Sequence, residues 1–163
     1  MTGVQTCALP ISDFVSDVAG RQAQGIADRL ILTFEQEEIR ALGAIQMAAL
    51  AELNELGFRF AIDRLSHLDM DFEALADTGF AFVKLDADVF ARGLVLGGTE
   101  VPATDLCGFF RDLGLSVIAG RIEDEAVRRR MLGYGVVFGQ GTLFGEPRPV
   151  PIGTLDTHEG VAA

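Results

Sequence analysis

The stretch G57-FRFAIDRLSHLDMD-F72 decides how the rest of the chain is read. Phe58 to Ile62, apolar but for Arg59, read as a buried strand. Gly57 before them closes a helix. An acid and a base, Asp63 and Arg64, follow at the strand exit. After them comes a loop holding His67 and two further aspartates, Asp69 and Asp71. A buried strand that delivers charge at its C-terminal end is the unit from which parallel α/β folds are built.

Outward from this unit the pattern repeats. Phe14 to Gln24 predicts a helix with Ser12 or Asp13 as N-cap. Arg29 to Phe34 predicts a strand. Glu35 to Leu56 carries apolar residues at threes and fours, predicting one long helix. Asp71 to Ala76 predicts a short helix, and Phe80 to Asp86 a strand. Gly93 to Val101 lacks the spacing of a dinucleotide fingerprint and reads as a plain connection. Ala103 to Leu113 predicts a helix, Leu115 to Gly120 a strand, Glu123 to Leu132 a helix, and Tyr134 to Gly141 the last strand. Residues 147–163 are Pro-rich and then polar, and 151–163 are taken as a C-terminal tail.

Five strands alternating with helices imply a parallel sheet with crossover connections. Each strand brings a polar residue to its C-terminal end: Thr33, Asp63, Lys84 with Asp86, Gly120-Arg121, and Gln140. In a barrel one rim collects all of them, whereas in an open doubly wound sheet only the switch-point strands share a ligand. The expected fold class is therefore α/β, the C-terminal part of a (β/α)8 TIM-like barrel with about five β/α units. A partial barrel leaves two open strand edges, so this stretch alone is expected to behave poorly.

Composition narrows the function. The chain of 163 residues carries 24 acidic against 13 basic side chains, a formal charge of −11. Such a chain is repelled by nucleic-acid polymers and by anionic membranes. A small phosphate-bearing ligand in a locally basic pocket is compatible with it. No apolar run is long enough for a membrane span. Cys7 and Cys107 have neither metal-ligand spacing nor a disulfide framework, and Cys107 reads as a small buried helix residue. Residues 1–11, MTGVQTCALPI, match the translation of a sequencing-adapter oligonucleotide over Val4–Ile11 and are set aside, which leaves 12–150 as the expected domain.

In order and spacing, the rim segments resemble the C-terminal two-thirds of an EAL domain, the cyclic di-GMP phosphodiesterase family. LILTFEQEEI (30–39) is similar to the family's L-E-I-T-E-S. FRFAIDRLSHLDMDFEAL (58–75) is similar to its strand ending in D-D-F-G-T-G. FVKLDADVF (82–90) is similar to L-K-I-D-x-x-F-V. GLSVIAGRIEDEAV (114–127) and FGQGTLFGEPRP (138–149) are similar to G-x-x-V-I-A-E-G-V-E-T and Q-G-Y-L-F-G-x-P-x-P. The resemblance covers residues 13–151.

That resemblance implies two divalent metals held by carboxylates and an Asn on the barrel rim, activating water against a phosphodiester. Carried over by position, the metal ligands are largely lost. The Glu-Ala-Leu and Asn strands are expected upstream. The metal-binding glutamate falls on Thr33 and a second glutamate on Gln36, with Glu35 as the alternative donor. The aspartate pair becomes Asp63-Arg64, and the glutamate of A-E-G becomes Gly120 beside Arg121. Lys84, Asp86, Glu123 and Gln140 keep their family positions. Asp63 and Lys84 are then vestiges of a catalytic set, with Asp63 a vestigial metal ligand. Arg64, Lys84 and Arg121 are then expected to make the rim locally basic, and the expected ligand-binding set is Arg64, Lys84, Asp86, Arg121, Glu123 and Gln140.

The expectation is a catalytically inactive EAL-type domain without cofactor, acting as a cyclic di-GMP receptor or a signalling interaction module. The alternative is an active phosphodiesterase using Mg²⁺ or Mn²⁺. A homodimer or protein partner, and a cytoplasmic location with tethering through a preceding region, are what the resemblance further implies. An unrelated α/β enzyme is disfavoured, because no Ser-His-Asp set, P-loop or dinucleotide fingerprint is present. Plainer readings stand beside these. Asp63-Arg64 and Lys84-Asp86 also read as structural ion pairs, and His67 as a solvated or capping residue. Asp69 and Asp71 read as N-cap groups, Arg128-Arg129-Arg130 as a solvated helix face, and Phe138 and Phe144 as core.

Overall fold

A computed structural model describes Ala27 and residues 30–146. The expected Phe14–Gln24 helix, residues 1–11 and the tail lie outside these. Five strands form one parallel sheet: β1 (Ile31–Glu35), β2 (Arg59–Asp63), β3 (Phe80–Asp86), β6 (Ser116–Gly120) and β7 (Phe138–Gly139). Their order in space, β1-β2-β3-β6-β7, is their order in the chain. A doubly wound sheet reverses direction at a switch point, and this one never does. It is an arc of a β/α barrel, with the C-termini of its five strands on one rim.

Helices separate the strands: α1 (Gln36–Arg40), α2 (Ala44–Glu55), α3 (Phe72–Thr78), α4 (Ala87–Arg92), α5 (Ala103–Asp112) and α6 (Glu125–Gly133). They cover one face of the sheet. Phe60, Ile62, Val83, Leu85 and Ala119 sit beneath them, each at most 1 % exposed. Phe60 stacks against Phe34 and Phe80 with centroids 5.9 and 5.3 Å apart. A second aromatic knot, Phe72 with Phe109 and Phe110, binds α3 to α5 at 6.2 and 5.5 Å. Fully burying one such ring contributes about 1.5–3 kcal/mol. The opposite face, which a closed barrel turns inward, is less covered: Ile31 and Phe138 are each 47 % exposed.

The structure corrects several expectations. The long helix 35–56 is two helices, because Gly43 stands as the extended N-cap of α2 and breaks the run. The plain connection 93–101 is an antiparallel hairpin, β4 (Leu94–Leu96) with β5 (Thr99–Val101). Its two-residue turn is Gly97-Gly98, both at positive φ (55° and 84°), the geometry that matches strand twist. Helix α4 lies where no helix was expected. The last strand shrinks to two residues, with Gly135 at φ 88° at the end of the preceding turn. Phe138 and Phe144 are not core, at 47 % and 57 % exposed. Cys107 is half-buried, and burial pushes its thiol above the ordinary value.

Gly79 joins α3 to β3 at φ 110°, and a Cβ there would meet the Asn54 side chain at 2.5 Å. Gly79→Ala is expected to lower unfolding free energy by at least about 1 kcal/mol through αL strain alone. Urea denaturation of the wild-type and variant proteins measures it.

Candidate functional site

The rim at the strand C-termini is built by register. Glu35 of β1 pairs with Asp63 of β2, and Asp86 of β3 pairs with Gly120 of β6. Strand alternation puts Thr33 on the same face as Glu35, and Lys84 on the same face as Asp86. A cleft of ≈ 420 Å³ opens between the ends of β2, β3 and β6 and the segment after β7. Asp63, Arg64, Lys84, Asp86, Arg121, Glu123 and Gln140 all line it, with Gly120 at its wall. The structure thus gathers every residue of the expected ligand-binding set.

Their charges are already paired with one another. Lys84 Nζ donates to Asp63 Oδ2 at 3.0 Å, and the two side chains are only 21 % and 32 % exposed. The other Asp63 oxygen accepts the Arg64 backbone N–H at 2.8 Å. Arg64 reaches back to Glu35, with its NH1 3.1 Å from Oε1 and 3.2 Å from Oε2. Arg121 lies 3.6 Å from Asp86 and 3.9 Å from Glu123. The expected Lys84-Asp86 pair is therefore replaced by Lys84-Asp63, across strands. Four carboxylates, Glu35, Asp63, Asp86 and Glu123, stand against three cations, Arg64, Lys84 and Arg121. The rim is close to electrically balanced, not basic as the substitutions alone implied.

Arg64 and Arg121 share a second property. Each lies one residue beyond a strand, and each has positive φ, 52° and 54°. They are the non-glycine residues with that conformation among the described residues. A side chain there costs roughly 1–2 kcal/mol relative to glycine's freedom. Position 121 is where the A-E-G pattern places its glycine, and the backbone angle gives the reason. Gly120 has its own constraint, since a Cβ there would stand 3.2 Å from Asp86 Oδ1.

A residue that sequence reasoning treated as a lost ligand organises the loop beside the rim. Gln36 is the buried polar side chain of the core, 1 % exposed. Its Oε1 accepts from the backbone N–H of Ser66 at 2.8 Å and from Ser66 Oγ at 3.0 Å. Its Nε2 donates to the His67 carbonyl at 2.8 Å. His67 is partly exposed yet has partners: its ring nitrogens stand 3.3 Å from Gln36 Nε2 and 3.1 Å from Arg40 NH1. Asp71 caps α3 by accepting from Ala74 N–H at 3.0 Å, as expected. Asp69 is no cap; it accepts from Gly97 N–H at 3.0 Å and so ties the loop to the β4–β5 hairpin. Gln36 lies among Glu35, Glu37 and Glu38, so the sequence gives no signal that its side chain is buried.

The donor set among the described residues does not fit a pair of dications. Among the described residues no group of three His, Cys, Asp or Glu side chains is placed to hold a metal ion. Asp63, the candidate vestigial ligand, has both oxygens engaged by cation and backbone of this chain. A guanidinium at position 64 repels a dication and offers it no lone pair.

With this geometry in view, comparison with known proteins gives the family. The EAL domain model matches residues 4–147. The chain belongs to the EAL domain family. It is 30 % identical over 133 residues to the cyclic di-GMP phosphodiesterase PdeF of Escherichia coli K12, covering 80 % of this chain and 18 % of that protein. It is 27 % identical over 122 residues to PdeB of Shewanella oneidensis, a cyclic di-GMP phosphodiesterase, covering 69 % of this chain and 14 % of that one. The chain thus spans less than a fifth of these relatives. Among solved structures, the PaMucR phosphodiesterase in complex with c-di-GMP superposes with a TM-score of 0.64 at 20 % identity, over 85 % of this chain and 63 % of that one. The Xanthomonas citri FimX EAL domain in complex with c-diGMP superposes with a TM-score of 0.64 at 16 % identity, over 88 % and 56 %. These likenesses establish the fold, an EAL-type α/β barrel of which the described sheet is an arc.

Two outcomes follow for the site. Gln36→Leu keeps the volume but strands the Ser66 N–H, so the variant is expected to lose about 1–3 kcal/mol. Hydrogen exchange at the Ser66 amide should accelerate with it. Arg121→Gly is expected to gain about 1 kcal/mol, because αL strain is relieved and the exposed 3.6 Å pair contributes little. Thermal denaturation followed by circular dichroism reads this gain.

Proposed function

We propose that this EAL domain is catalytically silent and serves as a metal-independent receptor for cyclic di-GMP, with a protein-docking role as the form the function takes if nucleotide does not bind. One observation supports the silent reading: each carboxylate of the described rim, Glu35, Asp63, Asp86 and Glu123, lies within 4 Å of an Arg or Lys of the same chain. Lys84, Arg64 and Arg121 are left as the groups that would meet phosphate, and guanidinium is suited to bidentate contact with it. Gln140 and Glu123, on the same cleft, would add hydrogen bonds to the nucleotide. Binding without metal is favoured because the cations are supplied in the chain.

The alternative, a working phosphodiesterase, is favoured by one observation. Glu35 lies on the same face as Thr33 and level with Asp63, so β1 does bring a carboxylate to the rim. It would act with donors from strands beyond the described residues, after release from Arg64. Under either reading the domain would work in the cytoplasm and could be tethered through a preceding region or paired with a second copy. No described helix is long and apolar enough to cross a membrane.

Calorimetric titration of cyclic di-GMP into the intact protein in EDTA separates the readings. The receptor reading expects saturable binding in EDTA and no hydrolysis when Mg²⁺ or Mn²⁺ is added. Turnover in Mg²⁺ would establish the phosphodiesterase. No binding and no turnover would leave protein docking.

A further inference from the structure

We infer that Glu35 and Asp86 are competitors of the ligand: they occupy Arg64 and Arg121 in the free protein and set both affinity and the preference for a ligand with two phosphates. The inference rests on the receptor reading above. It says what that reading does not, namely that two acidic residues of the site oppose binding.

The geometry carries it. Arg64 spans from the end of β2 to the Glu35 carboxylate of β1, touching both oxygens within 3.2 Å. Arg121 spans from the end of β6 to Asp86 of β3 at 3.6 Å. Neither guanidinium is buried, with side-chain exposures of 75 % and 68 %, so both are open to a ligand entering the cleft. Their partners are also half-exposed, at 44 % and 43 %, and so can be left to water when the guanidinium changes partner. Lys84 differs. It is held at 3.0 Å by Asp63 in a more sheltered pair, which makes it a fixed charge between two exchangeable ones.

Backbone strain points the same way. Both exchangeable arginines are held at positive φ, a conformation that persists where surrounding structure imposes it and that clusters at ligand clamps. They leave from β2 and β6, which flank β3. At the usual strand spacing the two exits lie about 10 Å apart. A ligand bearing one phosphate can displace one carboxylate. A ligand bearing two can displace both while Lys84 stands between them. A near-neutral rim therefore rejects single phosphates without a steric filter.

The test uses the intact protein in EDTA, with cyclic di-GMP and inorganic pyrophosphate as separate probes. Glu35→Gln and Asp86→Asn are near-isosteric changes at half-exposed positions. Each is expected to tighten cyclic di-GMP binding roughly two- to fivefold, the range set by an exposed ion pair, and the double variant by their product. Glu52→Gln, which removes the same charge from α2 away from the cleft, is expected to change nothing. Arg64→Ala and Arg121→Ala are expected to weaken binding. Unchanged or weaker binding by Glu35→Gln and Asp86→Asn overturns the inference, as does equal tightening by Glu52→Gln. If wild type ignores cyclic di-GMP but Glu35→Gln and Asp86→Asn both tighten pyrophosphate, competition stands and the cyclic di-GMP reading falls. If neither probe binds wild type or any variant, both fall.

Discussion

Everything at the rim depends on the parallel ladder of β1, β2, β3, β6 and β7. Hydrogen bonds between consecutive parallel strands fix which residues stand level, so Glu35 faces Asp63 and Asp86 faces Gly120. Because no strand is inserted out of chain order, five separate sequence segments end on one rim. The apolar half of each strand is held by the helices, chiefly through Phe60, Ile62, Val83 and Leu85. A one-residue slip would turn Lys84 toward the helices and Val83 toward the cleft. Burial of Val83 and Leu85 therefore positions Lys84 as firmly as any polar contact does.

Loops complete what the ladder begins. The segment after β2 hangs on Gln36, whose single buried amide satisfies two donors of Ser66 and one acceptor of His67. It is tied at its far side to the hairpin through Asp69 and through the Leu68 N–H to the Val95 carbonyl at 2.9 Å. The helix dipole and its charges stabilise elements further off. On α6, Asp124 caps by accepting from Val127 N–H at 2.8 Å. Hydrogen bonds from Arg128 hold the Glu125 carboxyl below its ordinary value. The triple-arginine run is thus a self-paired helix face in part, with Arg128 and Arg129 both on Glu125.

Much of this was legible in the residues. Apolar runs at 58–62, 80–86 and 115–120 gave strands that the structure places within a residue or two. Their polar exits gave the rim, and the ordered motifs gave the family. What was hidden has physical reasons. The 93–101 segment hid a hairpin because its strands are three residues each, too short for alternation to show; the Gly97-Gly98 turn was the available cue. Gln36 was hidden because a substitution was weighed only as a lost ligand, and nothing in a one-dimensional pattern reveals a buried amide facing a loop thirty residues on. The basic rim was overestimated because substitutions were counted and their partners were not. Charge in a cleft depends on which side chains meet, and Glu35 meeting Arg64 is a fact of register.

That self-pairing bears on ionic strength. Ordinary phosphate binding by exposed cations weakens as salt rises, because screening removes attraction that only the complex enjoys; at physiological salt the Debye length is about 8 Å. Here Arg64 and Arg121 hold a carboxylate before any ligand arrives. An exchange that breaks one ion pair for each it makes keeps their number constant. Under the proposed exchange, salt would weaken the free and the occupied states together, and affinity would be nearly independent of it. The rim would work at the same ligand concentration through osmotic swings that alter binding to an unpaired cationic patch.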